Sequence, residues 1–371
     1  MKVKLTDICD IQYGYAFDSA LFSETTGTPL VRIRDIVRGF SETRTSESFP
    51  SEYTVNDGDI LIGMDGEFNI ARWHGGTAAL NQRVCRLIPK DVDEDYIFHF
   101  MPSALKTIED KTPFVTVKHL SAKEINKIIV PIPTPEEQIR IGTILNRILS
   151  IIDSRRRELQ SLDNLIKARF VEMFGDGSPS VKLGDICRMI NGDRGKNYPS
   201  GDDFVAEGVP FVNAGHLQNR QVLFSGMNFI TEEKYNLLSQ GKIQKDDILY
   251  CLRGSLGKHG LVTFERGAVA SSLVILRSDK SKVLPKFLLY ALETPDLKRQ
   301  LKAANNGSSQ PNLSAASVKA YDIKLPSIKE QYSFVALVEQ IDKSKFVVQK
   351  ALDEAQLLFD SLMQQYFGKE D

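Results

Sequence analysis

VPIPTPEEQIRIGTILNRILSIIDSRRRELQSLDNLIKARFVEMFG occupies residues 130–175, and residues 325–368 repeat its plan as LPSIKEQYSFVALVEQIDKSKFVVQKALDEAQLLFDSLMQQYFG. Pro131 and Pro133 stop whatever precedes the first copy. Thr134 then suits the N-cap, Pro135 the first helical position, and Glu137 the third position past the cap, which together make a capping box. Ser327 and Glu330 repeat that box. Apart from Gly142, neither stretch contains a helix breaker before Gly175 and Gly368, where a left-handed glycine termination is expected. Each copy therefore predicts one uninterrupted helix, ~60 Å long at ~1.5 Å per residue.

A heptad register sharpens the reading. Leu145, Ile152, Leu159, Ile166 and Met173 fall at position a of the first copy, with Ile141, Ile148 and Leu162 at d beside Arg155 and Arg169. In the second copy Leu352 and Phe359 fall at a, with Val338, Lys345 and Tyr366; Ile341, Val348 and Leu362 fall at d, with Phe334 and Ala355. An apolar stripe sustained over five heptads predicts a coiled coil and not a helix lying on a globular core. An antiparallel pairing gives each of two equivalent heads its own end of the helix pair.

The repeat extends beyond the helices. KLTDIC (4–9) returns as KLGDIC (182–187), and GDILIG (58–63) as DDILYC (246–251). Leu120, Ile132, Glu137-Gln138 and Phe174-Gly175 match Leu313, Leu325, Glu330-Gln331 and Phe367-Gly368 at a constant offset of 193. At the N-terminal motif the offset is 178, so the second globular part carries the insertions. A period this long marks a duplicated domain and not a solenoid. The expected segments are a head at 1–133, a long helix at 134–175, a second head at 176–326 and a second long helix at 327–368. Short apolar runs such as 59–63, 84–88, 248–250 and 273–277 read as strands, with helical patches at 96–107 and 285–291. The predicted class is α+β, with two α/β-type heads joined by two long helices in a pseudo-two-fold repeat.

The chain has 371 residues, 42% hydrophobic and 26% charged, which suits globular domains. Its N-terminus lacks an apolar run and no stretch is long enough to cross a membrane, so a cytoplasmic protein is expected. Four cysteines stand singly, with Cys9 and Cys187 equivalent in the repeat, which suits packing in a reducing compartment. No catalytic site and no cofactor are expected. His74, His99, His119, His216 and His259 have no metal-ligand spacing. RGSLGKHG (253–260) has two residues where a phosphate loop needs four, and His259 where it needs Ser or Thr. Asp202-Asp203 and Asp246-Asp247 read as turn or strand-start residues, and no nucleophile elbow or cofactor loop is present.

What the heads do hold is loops that mix basic, amide and aromatic side chains. Head one offers Tyr13, Arg32 and Arg34, then Arg72 and His74, Gln82 and Arg83, and Lys118 beside His119. Head two offers Arg194 and Lys196, Asn213 and His216, then Arg253, Lys258 and His259, and finally Ser309, Gln310 and Asn312. Arginine pairs in two-toothed fashion with guanine edges, Asn and Gln pair with adenine edges, and Lys and Ser suit phosphates. These are the candidate DNA-contacting residues. A formal net charge of −1 stands against them, since a DNA-binding chain usually carries a basic excess.

ALNQRVCRLIP (79–89), NGSSQPNLS (306–314), VPIPTPEEQ (130–138) and LPSIKEQ (325–331), set in the order head, helix, head, helix, resemble type I restriction–modification specificity subunits. The resemblance covers essentially the whole chain. It implies that each head is a target-recognition domain for half of a split, asymmetric double-stranded DNA sequence. It also implies that the helix pair fixes the half-site spacing and docks two adenine methyltransferase subunits, with ATP-dependent restriction subunits joining for cleavage. Local basic patches and the partners would then supply the charge the chain lacks overall. Two other readings remain at the sequence level. One is a non-enzymatic coiled-coil scaffold that binds proteins; the other is a nuclease or methyltransferase acting alone, against which the missing motifs argue.

Overall fold

The computed structural model describes residues 1–112, 118–175, 178–305 and 312–368. Two compact units emerge: residues 1–156 with the chain from Lys350 onward, and Arg157–Gln349. Each unit joins one head to part of both long helices.

In the first unit, Lys2–Lys4 pairs antiparallel with Ile129–Pro131, so the head's two ends close on each other just before the long helix begins. The head holds a four-stranded antiparallel sheet in the order Cys9–Tyr13, Val84–Pro89, Ile60–Gly63, Ile70–Arg72. A second sheet runs Phe22–Ser23, Arg44–Thr45, Thr28–Val31, Ala78–Leu80, Thr54–Val55, with Leu30 and Ala79 paired in parallel.

Strand residues alternate between faces, which explains the unbroken apolar run at Ile60–Gly63. Ile60 and Ile62 enter a core shared with the helix Glu94–Lys111, while Leu61 enters another core with Val31, Ile36, Trp73 and Leu80. A strand covered on both faces needs no polar alternation.

The second unit repeats this plan. Ser180–Lys182 pairs with Asp322–Lys324, and the second sheet runs Phe204–Val205, Asn228–Ile230, Val209–Val212, Arg266–Val269, Lys242–Gln244, again with one parallel pair. The first sheet matches strand for strand through Cys187–Asn191, Leu273–Ser278, Ile248–Cys251 and His259–Leu261, then gains Arg220–Val222 and Leu217–Gln218 at its edge. Leu217 pairs with Val222 and Gln218 with Gln221, so this extra hairpin turns at Asn219 and Arg220. Both take positive φ (49° and 65°), as a tight hairpin turn of this hand requires.

The long helices are Pro135–Phe174 and Ile328–Phe367. In the first unit Ile141 and Leu145 share a core with Phe359, Leu362 and Phe367. In the second, Ile166, Phe170 and Phe174 share one with Phe334, Val338 and Ile341. Within each unit the start of one helix meets the end of the other, so the pairing is antiparallel. Of the expected seam residues, Leu145, Ile152, Ile166, Ile341 and Val348 are buried, whereas Leu159, Leu352, Phe359 and Leu362 are half-buried. Phe170, Phe174, Phe287 and Phe334 form an aromatic cluster with centroids 5.1–6.2 Å apart. Truncating the fully buried Phe334 to Ala would cost about 3–5 kcal/mol.

The helix ends hold two surprises. The second capping box is complete: Ser327 N–H donates to Glu330 at 2.8 Å and Glu330 N–H to Ser327 Oγ at 3.4 Å. In the first, Glu137 N–H donates to Thr134 Oγ1 at 3.3 Å, but its carboxylate is engaged by Arg140. Gly175 and Gly368 do stop the helices, yet neither is left-handed. Each donates its N–H to the carbonyl four residues back, and a Cβ there would lie 2.5 Å and 2.3 Å from the Val171 and Gln364 oxygens. Close approach, not positive φ, is what requires glycine. Gly142 has a comparable reason, since a Cβ there would meet Asp95 at 2.7 Å, where the helix Glu94–Lys111 abuts the long helix.

Candidate nucleic-acid interface

In head one, backbone hydrogen bonds tie three loops into one edge. Met64 N–H donates to Arg83 O at 3.0 Å, Leu120 N–H to Met64 O at 2.7 Å, and Gln82 N–H to Tyr15 O at 2.9 Å. Asp65 bridges to His119 across the same edge. In head two, Leu252 N–H donates to Ser272 O at 2.9 Å and Leu313 N–H to Leu252 O at 2.8 Å, while Arg253 bridges to Asn312. The backbone ladder is the same in both heads. Its side chains are not: Asp65, Arg83 and His119 stand where Arg253, Ser272 and Asn312 stand in the repeat.

The side chains follow suit. Asp65 carries Arg83 at 3.0 Å and His119 Nδ1 at 2.5 Å. Arg253 is exposed, and its guanidinium has no partner among the described residues. It lines a cavity of about 290 Å³ with Asn191, Arg194 and Asn312. Beside this cavity Asp193 is buried and accepts hydrogen bonds from Arg194 N–H at 2.8 Å and from Ser239 N–H at 2.7 Å. Burial pushes its carboxyl up, but the Ser239 and Arg194 hydrogen bonds outweigh that and hold it below the usual carboxylate range.

Of the expected contact residues, His74, Gln82, Arg194, Lys196, Arg253 and Asn312 are exposed. Arg34 and Arg83 are exposed beside carboxylates, Arg34 lying 3.8 Å from Asp35. Others are used by the fold. His216 is buried, its Nδ1 accepting from Asn213 N–H and its Nε2 3.0 Å from Gly226 O. His259 is buried against Tyr250, with Nε2 3.0 Å from Leu289 O. These two expectations are corrected: both imidazoles serve the interior.

Arg72 binds Asp95 at 2.7 Å and Glu94, with its guanidinium 5.0 Å from the Phe98 ring, so it fastens a strand to a helix. Lys118 and Lys258 donate to the Glu109 and Ala214 carbonyls. The Tyr13 hydroxyl is buried with no hydrogen-bond partner among the described residues, and burial pushes its pKa up. Arg32 is half-buried at the start of the helix Ile33–Arg38, and the Asn213 side chain accepts from Gly215 N–H at 2.8 Å. Ser309 and Gln310 lie outside the described residues. Asp65 is the residue that the sequence reading missed, because an acid does not announce a DNA face; its alignment with Arg253 in the repeat was the available signal.

Among the described residues, no group of three or more His, Cys, Asp or Glu could hold a metal ion, and no helix is long and apolar enough to cross a membrane. All four cysteines are buried and unpaired, and burial pushes the Cys9 and Cys85 thiols up to about 12.

A duplicated α+β head, each copy feeding a long helix that pairs antiparallel with the other, and unlike polar loops on one shared backbone plan define a two-headed recognition protein. The chain belongs to the type I restriction modification DNA specificity domain family, which matches residues 1–164 and 176–355. The EcoBI type I specificity subunit of Escherichia coli is 27% identical, covering 100% of this chain and 85% of the relative. The EcoKI subunit of Escherichia coli strain K12 is 22% identical over 92% of this chain and 81% of its own length. In fold, the chain resembles the type I S subunit from M. genitalium with a TM-score of 0.58 at 16% identity, covering 100% and 96% of the two chains.

Proposed function

We propose that this chain is the DNA-reading subunit of a type I restriction–modification complex, working in the cytoplasm and contributing no catalytic group of its own. The observation that carries this reading is the common strand order of the two heads beneath loops of different chemistry. A shared scaffold presents two faces to double-stranded DNA, and unlike side chains give two different half-sites and hence an asymmetric target. The segments 1–133 and 176–326 act as the recognition domains, and the helix pair sets the spacer between half-sites.

Two adenine methyltransferase subunits would dock on the helices, with ATP-dependent restriction subunits added for cleavage. Exposed apolar side chains on the second long helix (Phe346, Val347, Leu357 and Leu358) support protein docking there. With a net charge of −1, the chain alone should bind DNA weakly and lose that binding as salt rises.

The test is a gel shift with the purified chain and its methyltransferase, against DNA carrying or lacking the methylated sequence. A sequence-selective shift is expected, and neutralising Arg194 or Lys196 should reduce the salt slope by about one unit each. Binding of the methyltransferase with no sequence-selective shift would leave only the protein-scaffold reading.

A further inference from the structure

The repeat places Asp65, Arg83 and His119 of head one on the same backbone ladder as Arg253, Ser272 and Asn312 of head two. We infer that this ladder is the specificity-determining position of each head, with Arg253 and Asn312 reading base edges in one half-site and Arg83, aimed by Asp65, doing so in the other. The inference rests on the DNA-reading role proposed above and deepens it.

The physical case starts from what the ladder fixes. Its backbone groups satisfy one another, so it holds its shape whatever side chains it carries. A rigid frame with exchangeable side chains is how a site changes what it recognises without refolding. In head two the frame projects together an exposed guanidinium, without a partner among the described residues, and an exposed amide, over a cavity that Asn191 and Arg194 also line. An arginine fork matches the O6 and N7 acceptors of guanine, and an asparagine amide matches N6 and N7 of adenine.

In head one the frame works differently. Asp65 is 19% exposed, and each of its oxygens takes one partner: Oδ2 holds Arg83 at 3.0 Å and Oδ1 holds His119 Nδ1 at 2.5 Å. Arg83 and His119 stay 56% and 54% exposed. Asp65 is therefore a positioning residue, which spends its charge on orienting an arginine that itself stays more than half exposed. Opposite charges at one frame position give the two heads different chemistry there.

The experiment uses the complete chain with its methyltransferase subunits and a library of targets in which each base pair of both half-sites is varied. Arg253→Ala should lower discrimination at one base pair of a single half-site by about 5- to 150-fold. Arg253→Lys, which keeps the charge but loses the fork, should retain overall affinity and lose the same discrimination. Asp65→Asn should relax one position in the other half-site only. Uniform weakening across all sequences, or an Arg253→Lys complex with unchanged discrimination, would overturn the inference and leave the DNA-reading role standing. An unaltered complex that methylates every library member equally would instead remove the DNA-reading role itself.

Discussion

Arg220 Nη2 donates to Asp163 Oδ1 at 2.9 Å, joining the tip of head two's extra hairpin to the first long helix. Its Nη1 reaches Glu293 at 2.9 Å, its guanidinium lies 4.7 Å from the Tyr290 ring centre, and Lys345 of the second long helix reaches Asp163 at 2.8 Å. The left-handed backbone at Arg220 is the strained means of bringing that side chain inward. Arg220→Ala takes one of two cations from Asp163, which keeps Lys345, and removes the arginine from Glu293; it should cost about 2–3 kcal/mol, below the full cost of breaking a buried pair because Asp163 stays paired and 30% exposed. Urea unfolding of the variant and the parent reads this directly; equal midpoints would show that the pairing contributes nothing.

The same contact has a pH signature. Burial raises the Asp163 carboxyl, but Lys345 and Arg220 outweigh it and hold the pKa below the usual value. A folded pKa below the unfolded one gives stability that is present above about pH 4 and lost as pH falls through the folded value. The stability gap between parent and Arg220→Ala should therefore shrink in acid.

His99 should titrate with the same sign at a higher pH. It is buried on the helix Glu94–Lys111, with Nε2 2.7 Å from Asn146 Oδ1 of the long helix. Burial, partly opposed by that hydrogen bond and by Asp95, lowers its pKa below the ordinary value of 6.5. The neutral ring is what the fold accommodates. Its contribution is complete above the unfolded pKa and is lost as pH falls through the lower folded value. An NMR titration should show the His99 ring protonating below the ordinary histidine value, and His99→Leu should flatten the stability profile as pH falls below about 6.5.

Gln331 explains why a Glu-Gln pair opens both helices. It is fully buried, accepts from Leu284 N–H at 2.9 Å and donates to Lys282 O and Pro326 O at 3.0 Å each. Gln138 repeats the arrangement with Asp93 N–H at 2.9 Å and Pro133 O at 3.1 Å. Gln331→Ala takes this partner from three backbone groups, one of them (Pro326 O) buried, and should cost about 3 kcal/mol. Gln331→Glu should be no better, because a carboxylate cannot donate to two carbonyls. Thermal unfolding of the two variants tests this, and a Glu variant as stable as the parent would contradict it.

The sequence showed the duplication and the two helices plainly, because capping residues, heptad spacing and a constant offset all depend on local chemistry. It could not show which polar loop residues face outward. His216 and His259 sit in stretches of sequence as polar as those of Arg194 and Arg253, and only the carbonyls of Gly226 and Leu289 decide that the rings turn inward. The hairpin at Asn219-Arg220 was equally hidden, since its turn lacks the glycine that usually marks one. Nothing in the sequence around Asp163 marks it for a partner; the fold supplies one from Arg220, distant in sequence.

Asp193 supplies the last prediction. It is 6% exposed, and its Oδ2 takes both the N–H and the hydroxyl of Ser239, at 2.7 and 2.9 Å, while Oδ1 takes Arg194 N–H. The loop carrying Arg194 and Lys196 is thus held by a side chain that never faces outward. Asp193→Ala leaves the Ser239 and Arg194 donors without their acceptor, at about 1–3 kcal/mol. Since the loop serves only head two, methylation measured on the varied-target library should weaken for one half-site while base preference in the other half-site is unchanged. Because hydrogen bonding holds the carboxyl below the ordinary range, the parent should keep this advantage at neutral pH and forfeit it as pH falls through the folded pKa. Equal loss in both half-sites would show that Asp193 supports the fold as a whole and not the loop it anchors.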